Sequence, residues 1–150
     1  MKKIEHLTKQ IKVGKATAVQ IDTANPIVVH YLIIASEQKA RQFEEKNPMF
    51  KKIRNELAKK DYAVVLFGSY AQGKQTKRSD IDLLIINKKG NREPSFSKYE
   101  TLFGININPI YITNTEFSKM LQEKDENVGK QALKENVILS NPELFWNLVI

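Results

Sequence analysis

Apolar positions along the chain follow two different periods, which divide the sequence into strand-like and helix-like segments. Stretches that are apolar almost throughout, or that alternate apolar and polar residues, predict strands at Tyr62–Phe67, 81–86 and 105–112. Pro109 interrupts the third of these stretches. Because proline cannot donate to a strand ladder, it predicts an edge strand or a bulge at that position.

Four Asn-Pro pairs punctuate the chain, and three of them precede sequence with helical spacing. Asparagine is a favourable N-cap, and proline is well tolerated at the first helical position. These pairs predict three helices, over residues 26–45, over residues 48–60, and from residue 142 to the C-terminus.

Two more helices are predicted around the third strand. Residues 96–103 have a helical pattern and are followed by Gly104, which suits the left-handed position after a helix. Thr113 and Glu116 have the spacing of a capping box, which predicts a helix that continues through Leu121. The order of elements predicts an α/β (α+β) fold, in which helices flank a small mixed β-sheet.

The first 22 residues allow two interpretations, whereas residues 23–150 are expected to form the main domain. Ile4, Leu7 and Ile11 have helical spacing, but residues 11–13 and 16–21 also suit a hairpin that turns at Gly14-Lys15. Such a hairpin resembles the wing of a winged-helix DNA-binding domain, although no complete helix-turn-helix precedes it. We expect a helix or hairpin extension packed on the domain, or a winged-helix remnant.

Composition places the chain among ordinary globular domains. It has 150 residues, 41% of them hydrophobic and 27% charged. The absence of cysteine excludes disulfides and thiolate metal sites. No apolar run approaches about 18 residues, and no apolar secretory segment stands at the N-terminus. These features predict a soluble cytoplasmic protein without a membrane segment.

The charge is strongly basic, at a formal net +7. A basic balance favours anionic partners such as nucleic acid or nucleotide phosphates, although widely spread lysines also serve solubility alone. Six cations form two local clusters: Lys9, Lys12 and Lys15 near the N-terminus, and Lys74, Lys77 and Arg78 farther on.

The residues with the clearest chemistry lie between positions 68 and 86. Gly68 directly follows a predicted strand, and its small size lets backbone N–H groups approach an anion; Ser69 adds a hydroxyl donor. Asp80 and Asp82 are two apart on an apolar strand, so their side chains point to one face, with Cα atoms about 6.6 Å apart. Paired carboxylates of this kind suit a divalent cation, Mg²⁺ or Mn²⁺.

A second phosphate-binding pattern is present in part and is rejected. The spacing from Gly68 to Gly73-Lys74 matches a P-loop, but Gln75 stands where that motif has Ser or Thr. A P-loop lysine is also followed by a helix, and here the next strand opens at Asp80, which leaves no room for one.

The sequence FGSYAQG followed by SDIDLLI resembles the signature of the nucleotidyltransferase superfamily related to DNA polymerase β, and above all its small stand-alone minimal nucleotidyltransferases, some of them antitoxin-like. The resemblance implies that Gly68 and Ser69 grip a triphosphate and that Asp80 and Asp82 hold Mg²⁺ ions. It implies that Ser79 orients the first carboxylate at the nucleotide. The reaction would be attack of a hydroxyl on the α-phosphate of ATP or another nucleoside triphosphate.

The chain departs from that family at one position. Relatives take a third carboxylate from the next strand, where this chain offers Asn108 or, as the second choice, Asn106. An amide carries no charge and cannot act as a base. Two functions stay open: AMP transfer to a protein or nucleic-acid hydroxyl, or a catalytically weak nucleotide-binding regulator or antitoxin that acts through a protein or DNA partner.

The apolar C-terminus also has two interpretations. Stand-alone members of the family often work with a separate helical partner of the HEPN class, and the Leu144–Ile150 region is apolar enough to dock one. The alternative is that this segment closes the core of its own domain.

Overall fold

The computed structural model describes residues 6–57 and 61–150. Its elements in chain order are β1 (Thr8–Val13), β2 (Ala16–Ile21), α1 (Val28–Lys46), α2 (Pro48–Leu57), β3 (Tyr62–Phe67), α3 (Gly68–Ala71), β4 (Ile81–Asn87), α4 (Ser97–Phe103), β5 (Ile107–Thr113), α5 (Asn114–Gln122), α6 (Val128–Lys134), β6 (Val137–Ser140) and α7 (Pro142–Val149).

A four-stranded mixed sheet in the order β5-β4-β3-β6 forms the centre of the molecule. Strand β3 is antiparallel to both β4 and β6, whereas β4 and β5 are parallel. The strand that contains Pro109 lies at one edge of the sheet, as the proline predicted. The small mixed sheet with flanking helices is therefore confirmed.

Strands β3 and β4 are buried on both faces, which explains why they are apolar almost throughout. One set of alternating side chains packs against Phe50 and Ile53 of α2 and Tyr99 of α4. The other set packs against Phe117 of α5 and Phe145 of α7. Truncating one of these buried phenylalanines to alanine costs about 3–5 kcal/mol, so packing on both faces stabilises the sheet.

The Asn-Pro pairs precede three helices, as predicted, but the side chains act differently. Helix α1 begins two residues later than expected, because Asn25 Oδ1 accepts from the Ile27 backbone N–H at 3.1 Å and closes a turn there. Asn141 Oδ1 caps α7 by accepting from the Leu144 N–H at 3.0 Å. Helix α2 begins at Pro48, and its predicted extension to residue 60 lies outside the described residues.

The helices around β5 follow the predicted signals. Gly104 has a φ of 64° and ends α4 in the left-handed conformation. Thr113 and Glu116 form both bonds of a capping box: the Glu116 N–H donates to Thr113 Oγ1 at 3.1 Å, and the Thr113 N–H donates to Glu116 Oε2 at 2.7 Å. These two signals, both present in the sequence, therefore mark the end of α4 and the beginning of α5.

Residues from Thr8 to Ile21 form an antiparallel hairpin, with Val13 paired to Ala16 across a Gly14-Lys15 turn. Backbone and side-chain hydrogen bonds join the two ends of the hairpin at its base. The Asp22 N–H donates to the Leu7 carbonyl at 2.8 Å, and Asn25 Nδ2 donates to the His6 carbonyl at 2.9 Å. Ile4, which supported the helical alternative, lies outside the described residues.

The C-terminal helix closes the core of its own domain. Phe145 is fully buried, and the Trp146 indole N–H donates to Ser36 Oγ of α1 at 2.8 Å. The apolar α7 therefore packs on α1 and the sheet. Within residues 6–57 and 61–150, the structure contains no helix with the length and apolar character that a membrane span requires.

Candidate functional site

The first feature of the candidate site is a close approach between Gly68 and Asp82. The antiparallel register of β3 and β4 pairs Phe67 with Asp82, so the end of β3 meets the beginning of β4. Gly68 follows with a φ of 69°, and a Cβ atom built on it would lie 2.5 Å from Asp82 Oδ2. Because only glycine leaves this space open, the Asp82 carboxylate sits directly against the backbone where α3 begins.

The second feature is the neighbour of Asp82 on the other side. The parallel register of β4 and β5 pairs Asp82 with Asn108, and Asn108 Nδ2 donates to Asp82 Oδ1 at 3.4 Å. Asn106 contributes its backbone instead, because its carbonyl accepts from the Ile81 N–H at 2.9 Å. The structure thus places Asn108, rather than Asn106, beside the carboxylate.

Asp80 and Ser79 lie in the turn that leads into β4. Ser79 Oγ accepts from the Thr76 backbone N–H at 2.8 Å, and the Ser79 N–H donates to the Thr76 carbonyl at 3.1 Å. Among the described residues the Ser79 hydroxyl makes no hydrogen bond to Asp80. Its observed contacts shape the turn that presents Asp80, immediately before the first strand residue.

The turn is joined to the glycine-serine segment by the main chain. The Lys74 N–H donates to the Ser69 carbonyl at 2.9 Å, so the residues after α3 fold back onto it. The side chains of Lys74, Lys77 and Arg78 are exposed around this loop. They supply positive charge near the site without pairing to its carboxylates.

Among the described residues, no ion pair neutralises the two carboxylates of the site. Asp80 and Asp82 are half-buried, and neither has a cationic side chain within 4 Å in the part of the chain that the structure describes. Among all the residues that the structure describes, no cluster of three or more carboxylate, histidine or cysteine side chains is arranged to hold a metal ion. Half-buried carboxylates without an ion pair are costly, so a cation at this place would lower their free energy.

The donor set fits a hard divalent cation. Two carboxylates and, after a half-turn of its amide, the Asn108 side-chain oxygen offer oxygen ligands of the kind that Mg²⁺ takes together with phosphate oxygens. The set is one negative charge short of three carboxylates. Asp80, Asp82 and Asn108 are therefore the residues that would hold a metal ion.

The burial of Gln75, a polar residue near the site, could not be predicted from the sequence. Gln75 Oε1 is buried and has no hydrogen-bond partner among the described residues. It lines a cavity of about 490 Å³ between α1 and α3, together with Lys39, Lys46 and Tyr70. Gln75 is also the residue that breaks the P-loop pattern, but nothing in that mismatch indicated a buried amide.

Comparisons with known proteins agree with this geometry. Residues 48–146 match the family described as a nucleotidyltransferase domain. A protein of Methanocaldococcus jannaschii, provisionally named a protein adenylyltransferase, is 37% identical over 71 residues, which cover 41% of this chain and 70% of the relative. No solved structure matches the chain.

The matched region contains both halves of the site, from the glycine-serine turn to the strand with Asn108. The resemblance inferred from FGSYAQG and SDIDLLI is thereby confirmed. The chain belongs to the nucleotidyltransferase domain family, within its minimal nucleotidyltransferases, and is a transferase of nucleotides.

Proposed function

We propose that the protein transfers AMP from ATP to a hydroxyl group of a protein or a nucleic acid, and that Asp80 and Asp82 hold Mg²⁺ or Mn²⁺ for this reaction. The observation that carries the proposal is the contact of Asp82 with both Gly68 and Asn108. It brings the glycine-serine turn, the carboxylate strand and the next strand to one point.

Each residue of the site has a separate role in the proposed reaction. Gly68 and Ser69 bind the triphosphate through backbone N–H groups and the Ser69 hydroxyl. Ser79 supports the nucleotide site by holding the turn before Asp80. A bound divalent cation would neutralise phosphate charge and favour the ionised form of the attacking hydroxyl.

The bond changes are those of in-line displacement at phosphorus. The acceptor oxygen forms a bond to the α-phosphorus of ATP, the bond from that phosphorus to the bridging oxygen breaks, and pyrophosphate leaves. The acceptor proton must pass to Asp80, Asp82 or solvent, because the Asn108 amide cannot accept it. We therefore expect this protein to transfer AMP more slowly than a site with a third carboxylate would.

The acceptor is proposed from chemistry and from one relative. The Methanocaldococcus jannaschii relative carries a name that states protein adenylylation. A protein hydroxyl is therefore the first acceptor to test, with a HEPN-like helical partner among the candidates and a nucleic-acid terminus as the alternative. ATP or another triphosphate, the metal and such a partner would be met in the cytoplasm, where we place the protein.

Asn108 favours a second candidate function. With an uncharged amide at the position beside Asp82, the site keeps two of three negative charges. A protein with such a site binds nucleotide and turns over slowly, as a regulator or antitoxin that acts through a protein or DNA partner would. The two functions share nucleotide binding and differ in turnover.

Transfer of label from ATP labelled at its α-phosphate separates them. The purified chain is incubated with labelled ATP, Mg²⁺ and a lysate of a cell that lacks it, and labelled protein and labelled nucleic acid are counted. We expect a labelled acceptor with wild type and with Asp125→Asn, an exposed control, but none with Asp82→Asn. ATP binding without any labelled acceptor would favour the regulator, and absence of both would contradict both functions.

A further inference from the structure

The hairpin of β1 and β2 projects from the domain and packs against little of it. Most of its side chains are exposed, including those of Val13 and Val19 at 59% and 66%. Leu7, at its base, is buried and anchors it. An isolated two-stranded hairpin is marginally stable in water, so this one suits a surface that it contacts.

The charge on the hairpin has one sign. The fourteen residues from Thr8 to Ile21 include three lysines and no aspartate or glutamate. Lys9 lies 3.9 Å from Asp22 at the base, whereas Lys12 and Lys15 have no ion pair among the residues that the structure describes. The positive charge therefore increases toward the tip, where Lys15 occupies the turn.

Both faces of the hairpin carry a lysine. Lys12 and its partner Thr17 lie on one face, whereas Lys9 and its partner Gln20 lie on the other. The face with Lys9 also carries Ile11 and Val13. Cationic donors that phosphate oxygens accept from therefore project on both sides of the hairpin.

We propose that this hairpin binds the phosphate backbone of a DNA duplex through Lys9, Lys12 and Lys15. A two-stranded β-ribbon fits the major groove of B-form DNA, and lysines on such a ribbon reach the phosphates on either side. Complementary charge selects this occupant over a protein with a basic or neutral surface. The proposal goes beyond nucleotide transfer and does not depend on it.

Fluorescence anisotropy with two labelled 24-base-pair duplexes, one DNA and one RNA, tests the proposal across a salt series. Three phosphate contacts predict a slope of log K against log salt near −2.7 or steeper for DNA. The variant Lys9→Gln/Lys12→Gln/Lys15→Gln is expected to bind at least about tenfold more weakly at 50 mM salt, with a shallower slope.

Two control variants make the test specific. Lys51→Gln/Lys119→Gln/Lys124→Gln removes the same charge from exposed positions outside the hairpin and is expected to keep wild-type affinity. Lys9→Arg/Lys12→Arg/Lys15→Arg is expected to bind like wild type. Circular dichroism and ATP binding, unchanged in every variant, exclude misfolding.

Tighter binding of the DNA duplex than of the RNA duplex supports the proposal, and tighter binding of the RNA duplex would overturn it, because the major groove of A-form RNA is too deep and narrow for a ribbon. Three further results would overturn it: no binding of the DNA duplex by wild type at 50 mM salt, equal loss in the control variant, or full binding by the hairpin variant. The proposal would also be wrong if light scattering showed that the hairpin variant differs from wild type only in self-association.

Discussion

Gly68 and Asp82 lie so close that a single added carbon on the glycine would come within 2.5 Å of the carboxylate oxygen Oδ2. This contact joins the end of β3 to the beginning of β4, which are the two halves of the nucleotidyltransferase signature. A glycine interpreted from sequence as a place for phosphate to approach is therefore also the residue that makes room for the proposed metal ligand. One position serves both needs.

Gly68→Ala tests that dual role. Alanine at a φ of 69° is strained by about 1–3 kcal/mol, and its Cβ would displace the Asp82 side chain. We expect lower stability in urea together with loss of ATP binding. Gly104→Ala is the matched control, because Gly104 has a φ of 64° with nothing within 4 Å of its Cβ. It should be destabilised yet bind normally; equal binding by both variants would contradict the argument.

Asn108→Asp restores a third carboxylate beside Asp82. Without metal, two like charges on neighbouring strands should lower the free energy of unfolding by roughly 0.2–1 kcal/mol. With Mg²⁺, the additional ligand should raise Tm more than it does in wild type and increase the rate of AMP transfer. Thermal unfolding in EDTA and in excess Mg²⁺ measures both effects.

Asn106→Asp is the control for that substitution, since Asn106 contacts β4 through its backbone carbonyl. It should respond to Mg²⁺ much as wild type does. If Asn108→Asp gained nothing from Mg²⁺, the assignment of position 108 to the metal site would be wrong.

Tyr99 makes stability depend on alkaline pH. Burial raises its pKa to about 12, and its hydroxyl also donates to Glu56 at 2.5 Å. A group whose pKa rises on folding stabilises the protein fully below its unfolded pKa, here 10.0, and that contribution is lost as pH rises toward 12. Urea midpoints should therefore fall between pH 10 and 12.

The variant Tyr99→Phe should show a smaller decrease in urea midpoint between pH 10 and 12 than wild type does. Tyr31→Phe, at an exposed position, should leave the pH profile unchanged. Lys98 contributes in the same direction, because its pKa is raised by the hydrogen bond to Glu56, so part of the slope will remain in Tyr99→Phe. A profile identical to wild type would show that the Tyr99 hydroxyl does not carry the effect.

Ser36→Ala removes the acceptor of the Trp146 indole N–H. An unpaired indole in this contact should cost about 1 kcal/mol, and Trp146 is the one tryptophan of the chain, so its fluorescence reports the site directly. Ser118→Ala, also within a helix, is the control for helix propensity. Equal stability of the two variants would mean that the hydrogen bond contributes nothing measurable.

Local signals predicted much of the fold. The bounds of β3 coincide with its apolar run, Gly104 ends α4, and the capping box at Thr113 begins α5. Pro109 marked an edge strand before the order of strands was known. In each case residues close in sequence decide the outcome, through backbone conformation or a missing donor.

Long-range pairing accounts for what the sequence did not predict. Strand β6 has four residues and is held by β3, more than seventy positions earlier, so no local period identifies it. Helix α6 was missed although Asn127 caps it, with Oδ1 accepting from the Lys130 N–H at 3.0 Å. Asn127 is followed by valine and not by proline, so it lies outside the Asn-Pro pattern that predicted three other helices.

The candidate site divides in the same way. The spacing of Asp80 and Asp82 and the identity of Gly68 are local features, so the sequence alone identified these three as candidate site residues. The contact between Asp82 and Asn108 depends on the parallel register of β4 with β5, which the sequence left open between two asparagines. The burial of Gln75 Oε1 depends on a cavity whose lining comes from α1 and from residues after α3, which are far apart in sequence, so the sequence offers no pattern for it.

The most direct test of the central claim is calorimetric titration of ATP into the protein with Mg²⁺ present. Wild type and the exposed control Asp125→Asn are predicted to bind with the same affinity. Asp80→Asn/Asp82→Asn should bind at least about tenfold more weakly, because both proposed metal ligands lose their charge. Equal affinity in the double variant and wild type would contradict a metal-dependent nucleotide site at these two residues.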